Sequence, residues 1–164
     1  MVLAAGAATR YGGPKQLELL PGVLAALGRA SGIDEVVVVE GAHELGDVCV
    51  DSAQRCRVVR CDDWEQGPGA SLRCGLAALG GGVTHALVVL ADGPELDPRA
   101  VERLLARRDD GPTLAAAYAG SRSHPVLLAR AAWSTIPDEG GRALAATLVD
   151  CSDLTPPGDV DFRR

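Results

Sequence analysis

Val36-Val37-Val38-Val39 is β-branched throughout and has no polar face. A strand with one face in water alternates apolar and polar residues, so a run that is apolar on both sides predicts a central strand of a parallel sheet, covered by layers above and below. Residues 2–5 and 86–90 read as further buried strands, and 57–60, 113–118 and 125–128 supply the rest. Helical patterns fall between them. Leu24 and Leu27 follow Pro21-Gly22, and Leu72, Leu76 and Leu79 recur at helical spacing across 71–79. Asp97 caps a helix that opens with Pro98 and carries Val101, Leu104 and Leu105 inward. This alternation predicts an α/β fold: one doubly wound, mostly parallel sheet with helices on both faces. The 164 residues contain no repeat and no dividing linker, which predicts a single domain over 1–164.

Sheets of this kind take ligands in the crevice beyond the carboxyl ends of their strands, which directs attention to the residues after Ala5, Val39 and Leu90. The first of these loops contains Lys15, the one lysine among sixteen basic residues. Ammonium is a compact point charge and guanidinium a broad fork, so a crowded anion pocket distinguishes them. The loop Gly6-Ala7-Ala8-Thr9-Arg10-Tyr11-Gly12-Gly13-Pro14-Lys15 fits neither GxGxxG nor GxxxxGK followed by Ser or Thr. Its small side chains nevertheless bare backbone amides, and Arg10 and Lys15 add positive charge, the ingredients of a phosphate cradle. A plain Gly/Ala turn has the same composition.

Two further loops carry chemistry. Asp92 closes the strand at 86–90 and precedes Gly93-Pro94; a carboxylate there suits a metal ligand facing phosphates, and equally a turn-initiating aspartate. Gly67-Pro68-Gly69-Ala70-Ser71-Leu72 runs into a helix, with Ser71 either as its N-cap or as a contact to a base or anion.

Composition narrows the classes of partner. Only 3 % of residues are aromatic and the net charge is −6, which excludes a stacking platform or a general basic face for nucleic acid. No apolar run reaches the roughly 20 residues of a membrane span. Cys49, Cys56, Cys61, Cys74 and Cys151 are odd in number and lack CxxC spacing, a pattern that predicts reduced thiols in the cytoplasm rather than disulfides or zinc. Cys74 reads as a small buried hydrophobe.

Taken together, these elements resemble the molybdenum cofactor cytidylyltransferases within the MobA-like nucleotidyltransferases. Leu3-Ala4-Ala5-Gly6 with Arg10, Gly12, Pro14 and Lys15 is similar to the family opening; Gly67-Pro68-Gly69-Ala70-Ser71-Leu72 to its G-x-G-x-S-L element; Asp92-Gly93-Pro94 to its D-Q-P; His124-Pro125-Val126-Leu127 to its H-P-V-L; and Asp159-Val160-Asp161 to its late D-x-D. The matches keep family order and span nearly the whole chain. The resemblance implies a Rossmann-like nucleotidyltransferase fold and a Mg²⁺-dependent transfer of CMP from CTP to a phosphate-bearing cofactor of the molybdopterin kind, with release of pyrophosphate. A molybdoenzyme or maturation protein is the implied downstream partner.

In that reading Arg10, Lys15 and Asp92 carry catalysis, and Asp92 and Asp161 hold Mg²⁺, with their carboxylates roughly 5 to 8 Å apart and Asp159 as an alternate ligand. Leu3, Ala4, Ala5, Gly6, Arg10, Lys15, Gly67, Gly69 and Ser71 bind the nucleotide, and His124 and Arg142 the acceptor. The resemblance ties LAAG to cytidine and LAGG to guanosine, so Ala5 favours CTP; a GTP-dependent guanylyltransferase is the nearest rival. An oxidoreductase or a nucleotide-sensing module on the same scaffold is the rival from another class. The chain departs from the pattern at Ala8, where serine is usual, and at Gly93, where glutamine is usual. The stretch 17–24 reads as a shortened connection, and the chain stops three residues after Asp161. Both predict that the natural chain is longer, with part of the loop after Gln16 absent or disordered and a helix following Arg164.

Overall fold

A computed structural model describes residues 1–8, 11, 13–46, 48–49 and 55–159. Among these residues seven strands form one mixed sheet: β1 (Val2–Leu3), β2 (Val36–Glu40), β3 (Cys56–Arg60), β4 (His85–Leu90), β5 (Thr113–Tyr118), β6 (Ser121–Ala129) and β7 (Thr147–Asp150), in the order β3-β2-β1-β4-β6-β5-β7. β6 alone runs against its neighbours, β4 and β5; every other pairing is parallel. Among the described residues three helices, α1 (Lys15–Arg29), α2 (Pro68–Ala77) and α3 (Pro98–Ala106), cover it. None is long and apolar enough to cross a membrane.

The valine run behaves as its composition requires. Side chains alternate across a strand, so Val36 and Val38 pack with Leu20, Val23 and Leu27 of α1 and with Val101 and Leu104 of α3. Val37 and Val39 point the other way, onto Leu72 and Leu76 of α2. All four valines are buried. Helices thus lie on both faces, as the sequence predicts.

The antiparallel strand has a local cause. Ala119 and Gly120 both take positive φ, 50° and 78°, between the paired residues Tyr118 and Ser121. Two such residues make the tight hairpin turn that suits strand twist, and a turn this short can only join antiparallel strands. β7, and the short 3₁₀ turns at Trp64–Gln66, Arg130–Thr135 and Gly141–Ala143, were not expected from sequence; Thr147–Asp150 is an edge strand with a single buried residue, Val149, and so lacks a strong apolar pattern.

Three expectations are corrected. The stretch 17–24 is neither a loop nor disordered: α1 runs through Pro21 without a break. Pro21 removes one helical N–H, but it faces solvent, and the buried stripe Leu20, Val23, Leu24 and Leu27 holds the helix against the sheet. Nor is Ser71 the cap of α2, which begins at Pro68 with Gly67 as its N-cap. Finally, Cys49 and Cys56 are joined by a disulfide. Their Cα atoms lie 5.3 Å apart because Cys56 opens β3 while Cys49 sits in the preceding loop, a proximity that counting cysteines cannot reveal. Cys61, Cys74 and Cys151 are free.

Candidate functional site

β1 pairs with β2 on one side and β4 on the other, so the chain reverses direction across the sheet at this strand. This is the switch point beyond which a crevice opens. Leu3 and Leu90, partners in the β1–β4 register, end their strands there. Both line each of three adjoining cavities.

The first cavity, about 360 Å³, is lined by Leu3, Ala4, Gly6, Ala8, Lys15, Gln16 and Asp92 among others. Lys15 is the first residue of α1, where a positive charge opposes the helix dipole. Local helix energetics therefore do not explain a buried lysine at this position. Its ammonium donates to Asp92 Oδ2 at 2.9 Å and lies 3.9 Å from Asp159 Oδ1. The two carboxylate oxygens can be no further apart than those distances combined. Asp92 is held by the turn after β4, and Asp159 is delivered by the tail, whose Pro157 carbonyl accepts from the Glu95 amide at 3.1 Å.

Two residues that sequence reasoning passed over shape this loop. Gln16 Nε2 donates to the Gly6 carbonyl at 2.6 Å, and His43 Nε2 lies 2.9 Å from the Ala7 carbonyl. The adjacency of Gln16 to Lys15 was a usable signal; His43 had none, because its loop meets the loop after β1 only in the folded chain.

The second cavity, about 340 Å³, is lined by Leu3, Ala5, Gly6, Trp64, Gly67, Pro68, Ser71 and Leu90. Gly41 lets Trp64 close one side, since a Cβ there would stand 2.6 Å from the Trp64 Cβ and 2.8 Å from that of Ala5. Gly69, expected to touch nucleotide, lines none of the three cavities. It is buried beneath the 137–138 loop, its N–H donates to the Asp138 carbonyl at 2.9 Å, and a Cβ there would meet the Pro137 oxygen at 2.2 Å. The Ala70 and Ser71 amides bond to the Gly67 carbonyl, so the start of α2 is internally satisfied.

The third cavity is the largest of these three, about 450 Å³, with walls of Leu72, Val88, Val126 and Leu128 and a rim of Arg122, His124, Glu139, Arg142 and Asp159. Arg142 is exposed on the 3₁₀ turn at Gly141–Ala143. Arg122 secures that turn by donating to the Leu144 and Gly141 carbonyls at 2.5 and 2.8 Å, an anchoring role not expected from sequence. His124 Nε2 is inaccessible and has no hydrogen-bond partner among the described residues; burial holds its pKa below the ordinary histidine value, against an opposing pull from Asp92. Cys74 is set apart from these sites, with its thiol donating to the Arg60 carbonyl at 3.4 Å and its pKa pushed up to about 11, first by burial.

The structure thus gathers Leu3, Ala4, Ala5, Gly6, Lys15, Gly67, Ser71 and Asp92 along one crevice, with His124 and Arg142 at its far end. Arg10 and Asp161 lie outside the described residues. The carboxylates fit a hard divalent cation, because Mg²⁺ takes one or two protein carboxylates and keeps several waters.

A protein-family model described as the MobA-like NTP transferase domain matches residues 1–150. Nicotine blue oxidoreductase from Paenarthrobacter nicotinovorans is 33 % identical, over 98 % of this chain and 90 % of that protein. Among solved structures, Rv0371c from Mycobacterium tuberculosis H37Rv is 25 % identical with a TM-score of 0.70, covering 98 % of this chain and 91 % of that one. A manganese complex of Rv0371c superposes with a TM-score of 0.62 at 22 % identity, covering 91 % and 86 %. The CTP complex of CMP:2-keto-3-deoxy-manno-octonic acid synthetase shares the fold at 14 % identity, with a TM-score of 0.69 over 98 % of this chain and 92 % of that one. With the switch-point crevice, the lysine–aspartate pair and a family match over most of its length, the chain belongs to the MobA-like NTP transferase family of nucleotidyltransferases.

Proposed function

We propose that this protein, acting as one domain over residues 1–164, transfers CMP from CTP to a phosphate-bearing acceptor of the molybdopterin kind and releases pyrophosphate. The observation that carries the reading is Lys15 paired with Asp92 at the floor of a crevice whose neighbouring cavity is bordered by Ala5. An oxygen of the acceptor phosphate attacks the α-phosphorus of CTP. One P–O bond forms as the α–β anhydride bond breaks, and the electron pair leaves with pyrophosphate. The acceptor brings its own nucleophile, so the protein's work is positioning and neutralising charge.

Each cavity has a part in that reading. The triphosphate lies in the first, where Lys15 and Arg10 offset its charge. Asp92, with Asp161 or Asp159, would hold a divalent cation, which when bound screens the repulsion between the two anions; the manganese complex of a related fold is consistent with this choice. The base occupies the second cavity, beside Ala5, Gly67 and Ser71, and the small Ala5 side chain sets the room there for a pyrimidine. The acceptor takes the third, near His124 and Arg142. A nucleoside triphosphate donor implies a cytoplasmic setting, with molybdoenzyme maturation downstream.

The test is pyrophosphate release with Mg²⁺ and molybdopterin, comparing CTP with GTP. Faster release with CTP is expected; equal rates, or a preference for GTP, would remove the inference from Ala5. The relative named as an oxidoreductase favours one second reading, a redox enzyme on this scaffold. It predicts flavin or nicotinamide absorbance in the purified protein and no pyrophosphate.

A further inference from the structure

Gly93 follows Asp92 and is buried against His124, which lines the third cavity. A Cβ at this position would stand 2.6 Å from His124 Nε2 and 3.3 Å from its Cε1, closer than a real Cβ packs, and 3.1 Å from the Pro157 Cβ. The His124 imidazole therefore sits in the space that a side chain at 93 would fill. Pro157 closes the same spot, and its segment is fixed by the hydrogen bond from the Glu95 amide. The ring also lines the third cavity. Its Nε2, sealed from solvent and without a hydrogen-bond partner among the described residues, is spent on fitting this niche rather than on a polar contact.

We propose that position 93 determines which acceptors this enzyme takes: glycine lets the His124 ring recede toward the backbone after Asp92 and so keeps the third cavity open. The occupant that fits is a broad apolar ring system carrying an anionic group, which the Leu72, Val88, Val126 and Leu128 walls and the exposed Arg142 would receive. A larger residue at 93 drives the imidazole into that volume. This inference rests on the nucleotidyltransfer reading for the identity of the site, while the steric relationship between 93 and 124 stands without it.

Anilinonaphthalene sulfonate, an apolar ring system with one anion, is a suitable probe because its fluorescence rises in an apolar cavity. Its titration into the parent, Gly93→Ala, Gly93→Gln and Gly93→Gln/His124→Ala should show graded loss and then recovery. Gly93→Gln should weaken dye binding by about tenfold or more, Gly93→Ala by less, and the double variant should return to within about threefold of the parent. CTP affinity, measured calorimetrically on the same proteins, should change little, since position 93 lies outside the lining of the first two cavities. Near-ultraviolet circular dichroism identifies a variant that has lost its packing, and the alanine variant then carries the comparison. Equal dye affinity in the folded variants, no binding by the parent, or no recovery on removing His124 would overturn the proposal. A parent that binds dye with the expected pattern but does not bind CTP would sink the nucleotidyltransfer reading alone.

Discussion

Lys15 Nζ and Asp92 Oδ2 are joined at 2.9 Å across 77 residues of sequence, with Lys15 opening the first helix and Asp92 ending the turn after the fourth strand. The contact pairs a cation that phosphate would attract with a carboxylate that a divalent cation would attract. In the proposed reading, arrival of a metal–triphosphate complex would substitute one set of charge partners for another.

Lys15→Ala should lower the rate of pyrophosphate release by about 10²–10³, the scale of removing one group that stabilises charge in a transition state. Lys15→Arg should also be poor, because the broader guanidinium does not fit a position only 9 % exposed. Steady-state kinetics on both variants decides this; near-normal activity in the arginine variant would show that the lone lysine is incidental.

Mn²⁺ binding can be followed by electron paramagnetic resonance without turnover. Asp92→Asn should abolish binding in the presence of CTP, and Asp159→Asn should weaken it by a smaller factor. Equal affinity in the Asp92 variant and the parent would move the metal elsewhere.

Gly69→Ala should destabilise the fold by about 1–3 kcal/mol, the usual cost of forcing extra volume into packed surroundings. The added methyl would collide with backbone at Pro137 and Asp138, neither of which is the flexible end of a side chain. A reduced urea midpoint with an unchanged slope is the expected result.

Acid should release the tie between α3 and the segment after β7. Arg103 donates to both Asp153 carboxylate oxygens, and that contact lowers the Asp153 pKa from its ordinary 3.8 to about 2. Asp97 and Asp150 are lowered as well, by bonds from Arg99 and Ser152 first. A carboxylate depressed in the folded state contributes stability that is complete above its unfolded pKa and lost as pH falls through the folded one. Stability should therefore decline from about pH 4 toward pH 2, and less steeply in Arg103→Ala; parallel acid titrations by circular dichroism make the comparison.

Ala119→Asn should stabilise the protein by about 1 kcal/mol, because alanine at φ 50° carries a left-handed penalty that asparagine bears more easily. Thermal unfolding at neutral pH measures it.

Much of the layout was legible in the chain. The valines at 36–39 specified a buried strand because four β-branched side chains leave no face for water, and Asp97-Pro98 marked a helix start by chemistry that acts within one turn. The small residues and lone lysine of the first loop directed attention to what lines the first cavity for the same local reason. The tertiary structure decided what depends on approach between distant segments. It ran the first helix through Pro21, since the penalty of one missing N–H is local while the packing of Leu20, Val23, Leu24 and Leu27 is shared with the whole sheet. It assigned Gly69 to the 137–138 loop and Gly93 to His124, because a glycine's purpose is set by whatever occupies the space its side chain would have taken. It also joined Cys49 to Cys56, a bond fixed by the distance between two backbones rather than by the number or spacing of cysteines.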